Sequence, residues 1–134
     1  MAANSLFVLD TSALLALRGD ERGADRVSTL LRDAEREKCR LLASFMTRME
    51  ILYLIWRDES EAAARDALRL MDSFAIEWVG CEPQILESAA YVKSRGGLSV
   101  ADSWIAGTAL RHGATLVHKD PEFDKFKDLT QESL

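Results

Sequence analysis

Four acids stand where carboxylates can do chemistry: Asp10, Glu50, Asp102 and Asp120. Asp10 and Asp120 follow the apolar runs 6–9 and 115–118, which have the character of strands. In an open α/β sheet, ligands bind beyond the carboxyl ends of strands, so both acids stand at the rim of a site. Glu50 and Asp102 belong to helices instead. Asp102 shares a helical face with Ile105, Ala106 and Ala109, and Glu50 lines up with Tyr53 and Leu54. A carboxylate on an apolar face is costly unless it is paired or bound to a metal. Two carboxylates about 4 Å apart repel by roughly 4 kcal/mol at an effective dielectric of 20, so four together require a cation. An all-oxygen set suits Mg²⁺ or Mn²⁺ better than zinc. Such a site activates water and neutralises a phosphodiester during in-line displacement, which points to hydrolysis of a nucleic-acid backbone.

Each acid also has a purely structural reading. Thr47-x-x-Glu50 and Ser99-x-x-Asp102 both match the capping box, in which the acid serves a backbone donor. Asp10 suits the turn into the next helix, and Asp120-Pro121 suits an N-cap followed by a first-turn proline. The two readings are compatible, because a helix start can position an acid as well as be capped by it. The conjunction of all four is what favours a site.

The elements that must carry these acids follow from periodicity. The strands are expected at 6–9, 41–44, 76–79 and 115–118, the first apolar on successive residues as a doubly covered strand should be. Between them lie helical patterns: a short one at 13–17, then one capped by Asp20 with Val27, Leu30, Leu31 and Ala34 inward. A third begins at Thr47, and an alanine-rich fourth presents Ala64, Leu68, Met71 and Phe74. Pro83 opens a helix burying Ile85, Leu86, Ala89 and Val92, which stops at Gly96-Gly97. Ser99 caps the last, from Val100 to His112, and the tail beyond the fourth strand is short and polar. Strands alternating with helices predict a three-layer α/β/α sandwich around a mostly parallel sheet of four or five strands, in one domain, 1–134.

Composition narrows the class. Net charge is -5, from 22 acids against 17 bases, which argues against binding nucleic acid by bulk positive charge. It leaves open an enzyme that holds nucleic acid through a metal, and without the four acids the rest is nearly balanced. Residues 1–5 lack a basic leader region, and no run approaches the roughly 20 apolar residues of a membrane span. Cys39 and Cys81 are isolated and suit reduced thiols, so a cytoplasmic protein is expected.

With these residues in view, the chain resembles the PIN-domain ribonucleases, and most of all the VapC-type toxins of toxin–antitoxin pairs. The pieces are Leu-Asp-Thr-Ser-Ala-Leu-Leu at 9–15, Ser44-x-x-Thr47-x-x-Glu50, Leu98-Ser99-x-x-Asp102 with Ile105-Ala106, and Leu116-Val117 leading to Asp120-x-x-Phe123. The resemblance implies a Mg²⁺- or Mn²⁺-dependent endoribonuclease with Asp10, Glu50, Asp102 and Asp120 as metal ligands. Thr11, Ser12 and Ser99 would support them by hydrogen bonds. It also implies a homodimer whose acidic groove is blocked by a cognate antitoxin. His118 departs from the pattern, standing where the family usually has threonine or a small polar residue. Asp124 is a possible substitute or outer acid.

Arg48 and Lys119 flank site acids and are the bases best placed to touch RNA phosphates, although an exposed charge is the commoner role. His118, ending a strand, fits a structural role, and His112 fits the last carbonyls of its helix. Trp56, Trp78 and Trp104 are scattered and suit the core or a dimer face. Two rivals share the fold: a non-catalytic PIN-like module binding RNA or protein, and a housekeeping RNA-processing nuclease. A receiver-type phosphoacceptor is a third, but it needs paired acids after the first strand, where this chain has Asp10-Thr11-Ser12.

Overall fold

A computed structural model describes residues 5–134, so most of the segment searched for a leader lies outside the described residues. Five strands form one sheet: β1 (Ser5–Leu9), β2 (Cys39–Ser44), β3 (Ile76–Val79), β4 (Thr115–His118) and β5 (Gln131–Ser133). Their spatial order is β3-β2-β1-β4-β5, and every pairing is parallel. Parallel neighbours need crossovers, which six helices supply: α1 (Thr11–Arg18), α2 (Ala24–Glu35), α3 (Phe45–Asp58), α4 (Glu61–Asp72), α5 (Pro83–Ser94) and α6 (Val100–His112).

Alternation along each strand sends side chains to two cores. Val8, Leu42 and Leu116 pack with Ile85, Val92, Ile105 and Ala109 under α5 and α6. Leu9, Leu41 and Val117 pack with Leu14, Val27, Leu30, Ile51 and Met71 under α1 to α4. The expected three-layer sandwich is therefore the observed one. Helices α5 and α6 approach so closely that a Cβ on Gly107 would lie 2.6 Å from the Ala89 nitrogen.

Several local expectations are corrected. The polar tail contributes a fifth strand, β5, paired to β4 from Leu116↔Gln131 to His118↔Ser133. Asp20 does not cap α2: it adopts a left-handed turn conformation, φ 51, and Gly23 occupies the cap position. Its φ of 98 is left-handed, which favours glycine, and a Cβ there would also come within 2.8 Å of Leu134. Helix α3 starts earlier than Thr47, because the Ser44 hydroxyl accepts the Met46 N–H at 3.1 Å. Thr47 thus falls inside the first turn and Glu50 beyond it, so their capping-box reading fails. Leu86, expected inside, is 52% exposed. At the end of α6 it is the backbone of Gly113 and Ala114, not His112, that meets the carbonyls of Leu110 and Ala109.

Candidate active site

The strand order reverses direction at β1. The chain moves outward through β2 and β3, then crosses over to lay β4 on the other side of β1. A crevice opens beyond the carboxyl ends of strands at such a switch point. Asp10 is the first residue past β1 and Asp120 the second past β4, so the topology brings them to one rim although 110 positions separate them in the chain.

Asp10 is almost wholly buried and caps α1. Its Oδ2 accepts the Ser12 backbone N–H at 3.0 Å and the Ser12 hydroxyl as well. That hydroxyl oxygen in turn accepts the Lys119 backbone N–H at 2.8 Å, so Ser12 ties the end of β1 to the end of β4. Thr11 points toward α3 and donates to Glu50 Oε1 at 2.7 Å. Its hydroxyl also lies 3.0 Å from that of buried Thr47. With its one proton on Glu50, Thr11 accepts from Thr47, and Glu50 is held at the end of a buried relay. Ser99 caps α6 through the Asp102 N–H, at 3.1 Å, which fixes Asp102 in the first turn of the helix. Asp120 caps a 3₁₀ turn, Pro121–Lys125, with Oδ1 accepting the Glu122 N–H at 2.9 Å.

Electrostatics joins the four acids. Burial pushes the Asp10 carboxyl up to about 7, against the lowering effect of its Ser12 bonds, and the charges of Asp102 and Glu50 push it further. Asp102 is raised to about 6, by burial first and then by Asp120 and Glu50, with Ser99 opposing and Glu122 adding. Glu122 thus adds to the raising of Asp102, and Asp124, on the same 3₁₀ turn, is exposed. Among the described residues, no lysine or arginine pairs with any of the four acids. Nor, among the described residues, are any three His, Cys, Asp or Glu side chains grouped closely enough to hold a metal as they stand. An all-carboxylate rim, with Asp10 and Asp102 raised in pKa and no basic partner on any of the four, has the donor chemistry that a hard divalent cation fits.

The two bases expected at the rim are engaged elsewhere. Arg48 pairs with Asp72 and lies 4.8 Å from the centre of the Trp78 ring. Lys119 Nζ pairs with Glu21 at 3.0 Å. Trp104 packs edge-on against Phe45, while Trp56 is half-exposed beneath Arg65. Sequence reasoning missed three participants: Thr47 as the inner end of the relay to Glu50, Glu122 as an acid that adds to the raising of Asp102, and Gln131 behind His118. Only Thr47 left a signal, its three-residue spacing from Glu50 putting both on one helical face. An apolar cavity of about 440 Å³ is away from the acids, among Leu14, Leu17, Leu31, Ala67, Leu70, Met71 and Phe74 of α1, α2 and α4.

Fold and rim together define a small doubly wound α/β protein with acids at the carboxyl ends of its strands, beside the switch point. The model of the PIN domain matches residues 7–129, and the chain belongs to that family. No curated protein matches it in sequence. Among solved structures it is similar to VapBC2 of Rickettsia felis bound to a DNA fragment from its promoter, at 16% identity and a TM-score of 0.77 over 96% of this chain and 98% of that one. VapBC-1 of nontypeable Haemophilus influenzae is 25% identical, with a TM-score of 0.72 over 96% and 97%. VapC20 of Mycobacterium tuberculosis, a toxin that cleaves the sarcin–ricin loop, is 20% identical, with a TM-score of 0.64 over 92% and 95%.

Proposed function

We propose that this chain is a Mg²⁺- or Mn²⁺-dependent endoribonuclease and the toxin of a toxin–antitoxin pair. The observation that carries the reading is the electrostatic coupling of Asp10, Glu50, Asp102 and Asp120 at the switch point with no base among them. Asp10 and Asp102, the two acids with raised pKa values, would hold the ion, with Glu50 and Asp120 completing its oxygen shell. When bound, the cation supplies positive charge to the phosphodiester and lowers the pKa of a water for in-line attack on phosphorus. The protein's part is positioning. Ser12 fixes Asp10, the Thr47–Thr11 relay fixes Glu50, Ser99 sets the start of the helix that carries Asp102, and the 3₁₀ turn carries Asp120. Arg48 and Lys119 are the bases that would exchange their acidic partners for RNA phosphates.

The antitoxin partner is supported by the solved neighbours, several of which are VapBC complexes. Its apolar segment would occupy the trough of α1, α2 and α4. A homodimer is supported by the half-exposed Leu86 and Val100, which lie beside Trp104 on the opposite layer. Among the described residues no helix is long and apolar enough to cross a membrane, and the cytoplasm, where RNA substrates are, is the proposed place of action. Incubation with structured RNAs tests the chemistry. Mn²⁺ should permit cleavage, EDTA should stop it, and Asp102→Ala should abolish it in a protein that still melts cooperatively. Cleavage that survives EDTA and both Asp10→Ala and Asp102→Ala overturns the proposal.

A further inference from the structure

The corner that carries Asp120 is held from behind by a closed chain of hydrogen bonds. His118, the last residue of β4, is 1% exposed. Its Nδ1 accepts the Asp120 backbone N–H at 3.1 Å. A ring nitrogen that accepts an N–H carries no proton, so the hydrogen of the neutral ring is on Nε2. Nε2 then donates to Gln131 Oε1, 2.9 Å away on the neighbouring strand β5. The Gln131 amide is itself oriented, because its Nε2 donates to the carbonyls of Phe123 at 3.1 Å and Phe126 at 3.0 Å. Those two residues lie in the 3₁₀ turn and at its exit, and the His118 ring packs on Phe123, 5.1 Å between centres. Every donor and acceptor in this chain has one assignment that satisfies all the others.

We infer that His118 is the positioning residue for Asp120, acting through the Asp120 N–H, and that Gln131 fixes the ring tautomer this requires. The inference rests on Asp120 being a ligand of the proposed cation. Asp120 is the only one of the four acids whose own N–H is bonded to a buried side chain on a strand. The other three sit on α-helices or cap one, where regular helix geometry aims the side chain. The 3₁₀ turn has only five residues, so beyond the Glu122 N–H on the Asp120 carboxylate its placement comes from the brace. Partners of this kind, one bond behind a ligand, typically alter metal affinity 10- to 100-fold.

The test separates positioning from packing with two variants that lose the same ring contact. Asparagine places an oxygen where Nδ1 stood and keeps the acceptor for Asp120, but loses Gln131. Glutamine reaches the Nε2 position and keeps the Gln131 bond, but offers nothing to the Asp120 N–H. Mn²⁺ affinity is measured by calorimetry on the RNA-free protein, alongside metal-free melting. His118→Gln should weaken Mn²⁺ binding about tenfold or more, and His118→Asn should stay within about threefold of wild type, at similar melting temperatures. Equal losses in the two variants, or none in His118→Gln, overturn the inference while leaving the nuclease reading intact. Wild-type protein that binds no Mn²⁺ overturns the reading of the site, and the inference with it. Nitrogen-15 spectra of the wild-type imidazoles need no variant to fold: an Nε2–H ring at His118 is expected, and an Nδ1–H ring refutes the brace.

Discussion

Replacing Asp10 by asparagine should stabilise the metal-free protein while removing its response to metal. The Asp10 carboxyl rises from an ordinary 3.8 to about 7 in the folded chain, chiefly through burial. A raised carboxyl pKa means the native state binds more protons than the unfolded one between these values, so stability falls as pH climbs from about 4 to about 7 and stays low above. At about 1.36 kcal/mol per pH unit, the ceiling on that loss is about 4 kcal/mol. Relaxation and the high effective dielectric of real interiors reduce it, and about 2 kcal/mol, or roughly 8 °C of melting temperature, is the working expectation. Asparagine keeps the cap, since its carbonyl accepts the Ser12 N–H and hydroxyl as Oδ2 does, and it carries no charge. In EDTA at pH 8, Asp10→Asn should therefore melt well above wild type, with the gap shrinking toward pH 4. Added Mn²⁺ should raise the wild type and leave the variant unmoved. A variant that is less stable than wild type at pH 8, or a gap that ignores pH, refutes the assignment of the strain to Asp10.

Gly107→Ala should destabilise by about 1–3 kcal/mol in urea or thermal denaturation, because the added Cβ strikes the Ala89 backbone, although helix propensity alone would favour alanine by about 1 kcal/mol. Ser99→Ala should cost about 1 kcal/mol as a lost cap, and the Asp102 carboxyl should titrate still higher by NMR, since Ser99 is the group that lowers it. Leu70 is 55% exposed on the trough, so Leu70→Asp should melt like wild type and yet fail to copurify with its antitoxin, for which the product of an adjoining short reading frame is the natural bait.

Much of this was legible in the sequence because it depends on near neighbours along the chain. Runs of apolar residues marked four strands, Pro83 and Asp120-Pro121 marked two helical starts, and the four acids at strand ends and helix starts marked the rim. What escaped depends on distant partners. Gln131, Glu132 and Ser133 are polar and read as tail, since an edge strand is defined by its pairing with β4 and not by its own side chains. Arg48 and Lys119 sit beside site acids in sequence, yet their charges are met by Asp72 and Glu21. Asp20 has the residue type of a cap, but the left-handed backbone at Gly23, packed against Leu134, is where α2 begins. His118 stood out as an oddity, and its meaning needed Gln131 across the sheet.

The strand order also governs when the rim can exist at all. The bond from Lys119 to Ser12 spans 107 positions, and β1 has no β4 beside it until residues 115–118 have been made. Pairings this distant close late in folding, because the loop entropy must be met before the contact forms. A ribosome-bound fragment ending before residue 115 therefore carries Asp10, Glu50 and Asp102 but neither the fourth acid nor the strand that holds Ser12 in place. On the proposed reading, a cell translating this chain is exposed to its chemistry only after the segment 115–120 has been made and has folded.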